Sequence, residues 1–171
     1  MHLKTTFLFF AFSLFSISIL AQDDTPPDPK KMFDWKPLKE AQKLASENDK
    51  KVLIYGNARW CTYCKKMEKE VFPSKEVQER TEKHFYPVWL DIESQDSLSF
   101  RGKTMTHRQL AMGFRITGTP TFIFLDSEGE VIAGQPGFIP EELYLTILDF
   151  VGSDAYLDQD FGEFSGAAEE Q

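Results

Sequence analysis

Cys61 and Cys64 are the only cysteines of the 171-residue chain, and they stand two residues apart in Trp60-Cys61-Thr62-Tyr63-Cys64. A structural staple gains most when it closes a long loop, and this pair encloses only two residues. Covalent haem attachment wants a His directly after the second cysteine, where Lys65 stands. A zinc site needs four ligands, and without a second cysteine pair it would have to recruit His84 and His107 from separate elements far along the chain. A redox pair needs a nucleophilic thiolate and a second thiol poised to resolve a mixed disulfide, which this spacing supplies. Two such thiols can also hold Cu(I), but no Met-rich or His-rich stretch accompanies them. The expectation is a redox-active disulfide between Cys61 and Cys64, with no metal and no cofactor.

Cys61 is expected at the N-terminus of a helix, where unpaired amides and the helix dipole favour an anion and Arg59, Lys65 and Lys66 add positive charge. Cys64 then lies one turn inside and less exposed, placed to attack once Cys61 has engaged a substrate. Nearly sixty residues downstream, Gly118-Thr119-Pro120-Thr121 sits at the mouth of a strand. A proline there either starts the strand without losing a ladder bond, or is a cis-proline that leaves the Thr119 backbone open to an extended substrate.

The elements that must position these residues follow from periodicity and punctuation. Leu38, Ala41, Leu44 and Ala45 share a helical face over residues 38–48, and Val52-Leu53-Ile54-Tyr55 is a buried strand ended by Gly56. Residues 61–71 lack Gly and Pro and read as a helix stopped by Pro73, after which Ser74 caps a further helix reaching His84. Residues 86–92 form a second strand with Pro87 near its start. Residues 93–105 are polar around Arg101-Gly102-Lys103 and are expected to be an inserted loop with a small turn. Thr106 caps a helix carrying Leu110, Ala111 and Phe114, residues 121–125 form a third strand, residues 131–133 pair back as a hairpin, and Pro140 opens a last helix. Crossover-linked strands followed by a hairpin and a covering helix define a mixed α/β sandwich.

The length suits one domain with a real core. The ends are of another character. Residues 7–20 are an apolar run with serines, preceded by His2 and Lys4 and followed by small Ala21, so residues 1–21 read as a secretory signal peptide cleaved near Ala21. An uncleaved anchor is the alternative, but the run is short of the roughly 20 residues that span a bilayer, and stable membrane insertion is not expected. Residues 22–32 are Pro- and Asp-rich and read as a linker, residues 33–151 as the folded domain, and residues 152–171 as an acidic tail with Tyr156, Leu157, Phe161 and Phe164 spaced to dock a short helix. Loss of residues 1–21 leaves 18 basic against 27 acidic side chains, which disfavours nucleic acid as a partner.

The Trp-Cys-x-x-Cys stretch after a buried strand, Gly118-Thr119-Pro120 before another, and Gly134 to Gly137 after the hairpin resemble the thioredoxin superfamily. Lys65-Lys66-Met67-Glu68-Lys69-Glu70-Val71-Phe72 and the polar insertion are most similar to periplasmic SoxW-like proteins and the C-terminal domain of DsbD-type interchange proteins. The resemblance implies a thioredoxin-like three-layer sandwich, a mixed central sheet flanked by helices. It also implies an exported, periplasmic thiol:disulfide oxidoreductase, monomeric, with protein thiols and disulfides as substrates and a membrane electron donor of DsbD type. Trp60, Thr119 and Pro120 become substrate-binding residues, and Cys61 and Cys64 the catalytic pair.

The chain departs from cytoplasmic thioredoxin. Thr62-Tyr63 replaces Gly-Pro between the cysteines, Tyr55 stands in place of the buried acid, and Trp89 in place of the lysine of the next strand. The usual proton acceptor for Cys64 is thereby missing. Glu68, four residues after Cys64 on the same helical face, is a candidate replacement, or else a surface Glu among lysines. A dithiol reductase is the leading reading; a disulfide oxidase or isomerase, and a copper chaperone or non-catalytic assembly module, are the alternatives.

Overall fold

The computed structural model describes residues 28–166. The expected leader, the first part of the linker and the last five residues of the tail lie outside the described residues. Helix α1 (Leu38–Asn48) leads into β1 (Lys51–Asn57), followed by α2 (Thr62–Glu70), α3 (Lys75–His84) and β2 (Phe85–Asp91). A hairpin of β3 (Ser97–Phe100) and β4 (Lys103–Thr106) precedes α4 (His107–Gly113), β5 (Thr121–Leu125), β6 (Val131–Pro136), α5 (Glu141–Gly152) and a short α6 (Phe161–Ser165).

Four strands form one mixed sheet in the order β2-β1-β5-β6, with β1 parallel to β2 and antiparallel to β5. All seven residues of β1 are buried, as a central strand covered on both faces requires. Successive side chains of a strand point to opposite faces, and two apolar clusters result. Leu53, Tyr55, Phe122 and Phe124 pack with Met67 of α2, Val77 of α3 and Tyr144 and Leu148 of α5. Val52, Ile54, Ile123 and Leu125 pack with Leu38, Ala41 and Ala45 of α1 and Leu110 and Ala111 of α4. The result is the thioredoxin-like three-layer sandwich that the motifs imply.

Two findings differ from the sequence reading. The polar stretch before Thr106 is not a loop: Leu98 pairs with Met105 and Phe100 with Lys103 in a two-stranded hairpin. Arg101 and Gly102 both take positive φ, 49° and 74°, the geometry of a two-residue hairpin turn whose twist matches its strands. An Arg-Gly pair lacks the Asn-Gly or Asp-Gly signature that announces such turns. The strand expected to end before Gly56 also runs on to Asn57. A Cβ on Gly56 would lie 3.2 Å from the Thr121 carbonyl oxygen and 3.1 Å from Ile116 Cδ1, so glycine permits the close approach that continues the strand.

Thr106 accepts from the Gln109 amide while Gln109 accepts from the Thr106 amide, a complete capping box. In the tail, Phe161 and Phe164 pack on Phe150 of α5 at 5.3 and 5.2 Å between ring centroids.

Candidate active site

Strand β1 delivers the chain to the site. Its last residue, Asn57, donates from its side-chain amide to the carbonyls of Tyr55 and Leu90, tying the strand end to β2. Ala58 accepts from the Cys61 amide at 3.0 Å, a turn that places Cys61 as the N-cap of α2. Its sulfur does the work of a capping oxygen: the Cys64 amide donates to Cys61 Sγ at 3.0 Å. A negative charge on that sulfur would meet an unpaired helix amide and the positive end of the dipole.

Cys61 and Cys64 are joined as a disulfide, with Cα atoms 5.2 Å apart. The expected contrast in exposure is absent, since the two residues are 2% and 1% exposed. In the bonded state Cys61 turns its sulfur inward, toward Cys64 and its amide. Trp60 and Tyr63 flank the pair and are 64% and 60% exposed, so the aromatic surface beside the disulfide faces solvent. Arg59 and Lys65 are exposed as well. Lys66 is directed elsewhere, over the Phe138 ring at 4.2 Å and toward Glu70 at 3.8 Å.

The Thr119–Pro120 peptide is cis. Thr121 pairs with Gly56, which brings the Thr119-Pro120 turn to the end of the sheet from which the Cys61 loop departs. The Pro120 carbonyl accepts from the Gly137 amide at 2.8 Å. The Thr119 hydroxyl is buried with no hydrogen-bond partner among the described residues.

Beneath the disulfide, Tyr55 and Glu68 meet. The Tyr55 hydroxyl lies 3.0 Å from Glu68 Oε1 and 3.4 Å from the Cys64 carbonyl oxygen. Burial raises the Glu68 carboxyl above the ordinary carboxylate range, opposed by the Tyr55 hydrogen bond and the charge of Lys65. Burial, with the Glu68 charge added, also raises the Tyr55 phenol, which therefore keeps its proton. A cavity of about 260 Å³ opens onto Glu68, with Cys64, Lys65, Arg59, Trp89 and Asp91 also in its wall. Asn57 and Ala58 at the end of β1 and Asp28, Pro29 and Lys30 of the N-terminal segment complete the wall. Residues 28–32, which read as linker, are thus held on the domain: Trp35 Nε1 donates to the Pro29 carbonyl at 3.0 Å, and Lys30 Nζ sits 5.6 Å from the Trp89 ring.

Sequence reasoning placed Glu68 on the Cys64 face but treated Tyr55 only as a missing acid. The available signal was a hydroxyl-bearing residue closing the otherwise aliphatic run Val52-Leu53-Ile54-Tyr55. His84 ends α3 and His107 opens α4, and no group of three or more His, Cys, Asp or Glu among the described residues is arranged to hold a metal.

This fold, with a disulfide at the start of a helix that follows the central strand, defines a thioredoxin-like disulfide oxidoreductase. The Thioredoxin-like domain family matches residues 38–152, and the chain belongs to it. It is 26% identical over 117 residues to the disulfide bond reductase DsbH of Chlamydia pneumoniae, covering 68% of this chain and 69% of that protein. It is 35% identical over 96 residues to the thiol:disulfide interchange protein DsbD of Pseudoalteromonas atlantica, covering 55% of this chain but only 15% of that much longer protein. Among solved structures, a thioredoxin-fold protein from Helicobacter pylori superposes with a TM-score of 0.64 at 25% identity, over 72% of this chain and 82% of that one.

Proposed function

We propose that the protein is an exported thiol:disulfide reductase that reduces disulfides of other exported proteins and is itself re-reduced by a membrane dithiol donor of DsbD type. The observation that carries the exchange chemistry is Cys61 Sγ as the hydrogen-bonded cap of α2, within a disulfide to Cys64; the geometry is common to reductases and oxidases, and the direction rests on the relatives. Similarity to a disulfide bond reductase and to DsbD supports the direction and the exported setting, as does the leader-like residues 1–21.

In the reduced protein the Cys61 thiolate attacks one sulfur of a substrate disulfide. A Cys61–substrate bond forms, the substrate bond breaks, and the departing thiolate takes a proton from water. Cys64 then gives its proton to Glu68 through the cavity both residues line and attacks Cys61 Sγ. The protein disulfide forms, the second substrate thiolate leaves, and two electrons have passed to the substrate. Trp60 and the Thr119 and Pro120 backbone hold the substrate beside the pair, with Trp60 supplying exposed aromatic surface.

Insulin reduction under a dithiol donor tests this. Wild type accelerates it, Cys61→Ser is inert, and Cys64→Ser accumulates a mixed disulfide through Cys61. A protein that leaves insulin intact and instead binds one Cu(I) tightly overturns the reading.

A further inference from the structure

The Tyr55–Glu68 contact joins two elements, and the phenol has a second acceptor within reach. Tyr55 is held by aromatic neighbours on several sides: Phe72 at 5.0 Å, Trp89 and Phe122 at 5.3 Å and Trp35 at 6.1 Å between ring centroids. Its hydroxyl is the one part of the side chain that needs a polar partner, and it finds Glu68 at 3.0 Å and the Cys64 carbonyl at 3.4 Å.

We propose that Tyr55 is the positioning residue for Glu68, holding one carboxyl oxygen so that the other faces the cavity reaching Cys64, and satisfying the carboxyl in both of its protonation states. This rests on the reading of Glu68 as proton acceptor for Cys64. While Glu68 is a carboxylate, Tyr55 donates to it. Once Glu68 holds the Cys64 proton, the acid donates to the phenol oxygen and the phenol turns its own hydrogen to the Cys64 carbonyl. No buried donor or acceptor is left unpaired in either state, which matters because such a group costs more than its bond contributes. Tyr55 keeps its proton throughout, so a single proton moves, from Cys64 to Glu68.

The charged groups facing Glu68 come from three directions: Lys65 on its own helix and Arg59 just before it, Asp91 at the end of β2, and Asp28 and Lys30 from the N-terminal segment. None makes a hydrogen bond or ion pair with Glu68 among the described residues. Tyr55 alone holds it. The phenol favours the carboxylate, as the direction of its effect on Glu68 requires.

The test follows the two thiol releases when the reduced protein meets 5,5′-dithiobis(2-nitrobenzoate). The first reports attack by Cys61 and the second attack by Cys64, each measured from pH 5 to 9. Tyr55→Phe fills the same aromatic space. It should leave the first release unchanged, slow the second about tenfold at neutral pH, the worth of roughly one hydrogen bond, and move its midpoint to higher pH. Glu68→Asp, which keeps the acid but shortens its reach, should behave alike. In a Glu68→Gln background, Tyr55→Phe should add nothing. A second-release profile of either Tyr55→Phe or Glu68→Asp that superimposes on wild type overturns the proposal, as does equal slowing by Tyr55→Phe with and without Glu68. Absence of the first release in wild type would instead overturn the redox reading itself.

Discussion

The amide of Cys64 donates to the sulfur of Cys61 across 3.0 Å, so the atom expected to attack substrate is also the cap of the helix behind it. In the reduced protein this donor remains, because it belongs to the backbone. Cys61 should therefore react as an anion at a pH where ordinary thiols, near 8.5, do not. In a Cys64→Ala variant, which keeps the amide, iodoacetamide labelling of Cys61 should reach half its maximal rate well below pH 8. Labelling that tracks free cysteine would remove the helix cap from the account.

Glu68 gives a pH prediction with a definite sign. Its carboxyl is raised in the fold, so between the ordinary carboxylate range and its folded value the native state holds a proton that the unfolded chain has lost. Stability contributed at this position is therefore greatest at low pH and declines as pH rises through that window. Glu68→Gln abolishes the decline. Thermal melts of the oxidised protein from pH 4 to 8 should show the variant gaining on wild type as pH increases, and a constant difference across the range would contradict this.

The pairing of α3 with α5 depends on Gly152. A Cβ there would lie 2.5 Å from His84 Cγ and 2.8 Å from its Cβ, and the carbonyl of Gly152 accepts from Lys51 Nζ at 3.5 Å. Gly152→Ala should destabilise by roughly 1–3 kcal/mol despite the better helix propensity of alanine. His84→Ala in the same chain should recover most of that loss, as urea denaturation of the single and double variants would show.

Thr106→Ala removes the side-chain acceptor of the α4 capping box. A loss of about 1 kcal/mol is expected, read by the same denaturation, while the rate of Cys61 labelling should not change.

Much of the scaffold is legible in the sequence because local signals and tertiary demands agree. Apolar spacing over residues 38–48, the run at residues 121–125, the stop at Pro73 and the helix start at Pro140 each yield an element close to its observed bounds. Cys61 and Cys64 stand out because their number and spacing leave few chemistries open, and Glu68 because helical periodicity places it with Cys64. The rest depends on contacts between distant segments. Nothing local in Tyr55 indicates that its hydroxyl meets a glutamate thirteen residues on, since that needs α2 folded back against β1. Asp28 caps the turn at residues 29–31 locally, but nothing in the polarity of residues 28–32 indicates that the turn lies over the cavity, where the Trp35 side chain and the face of Trp89 hold it. The β3–β4 hairpin escapes a local reading because five of its eight strand side chains are polar and its turn is Arg-Gly.

The central claim concerns the direction in which the Cys61–Cys64 pair passes electrons, and equilibrium titration of that pair against glutathione tests it most directly. A reduction potential near the thioredoxin value of about −270 mV is the predicted result. A value near the DsbA figure of about −120 mV would make the protein an oxidase and contradict the account.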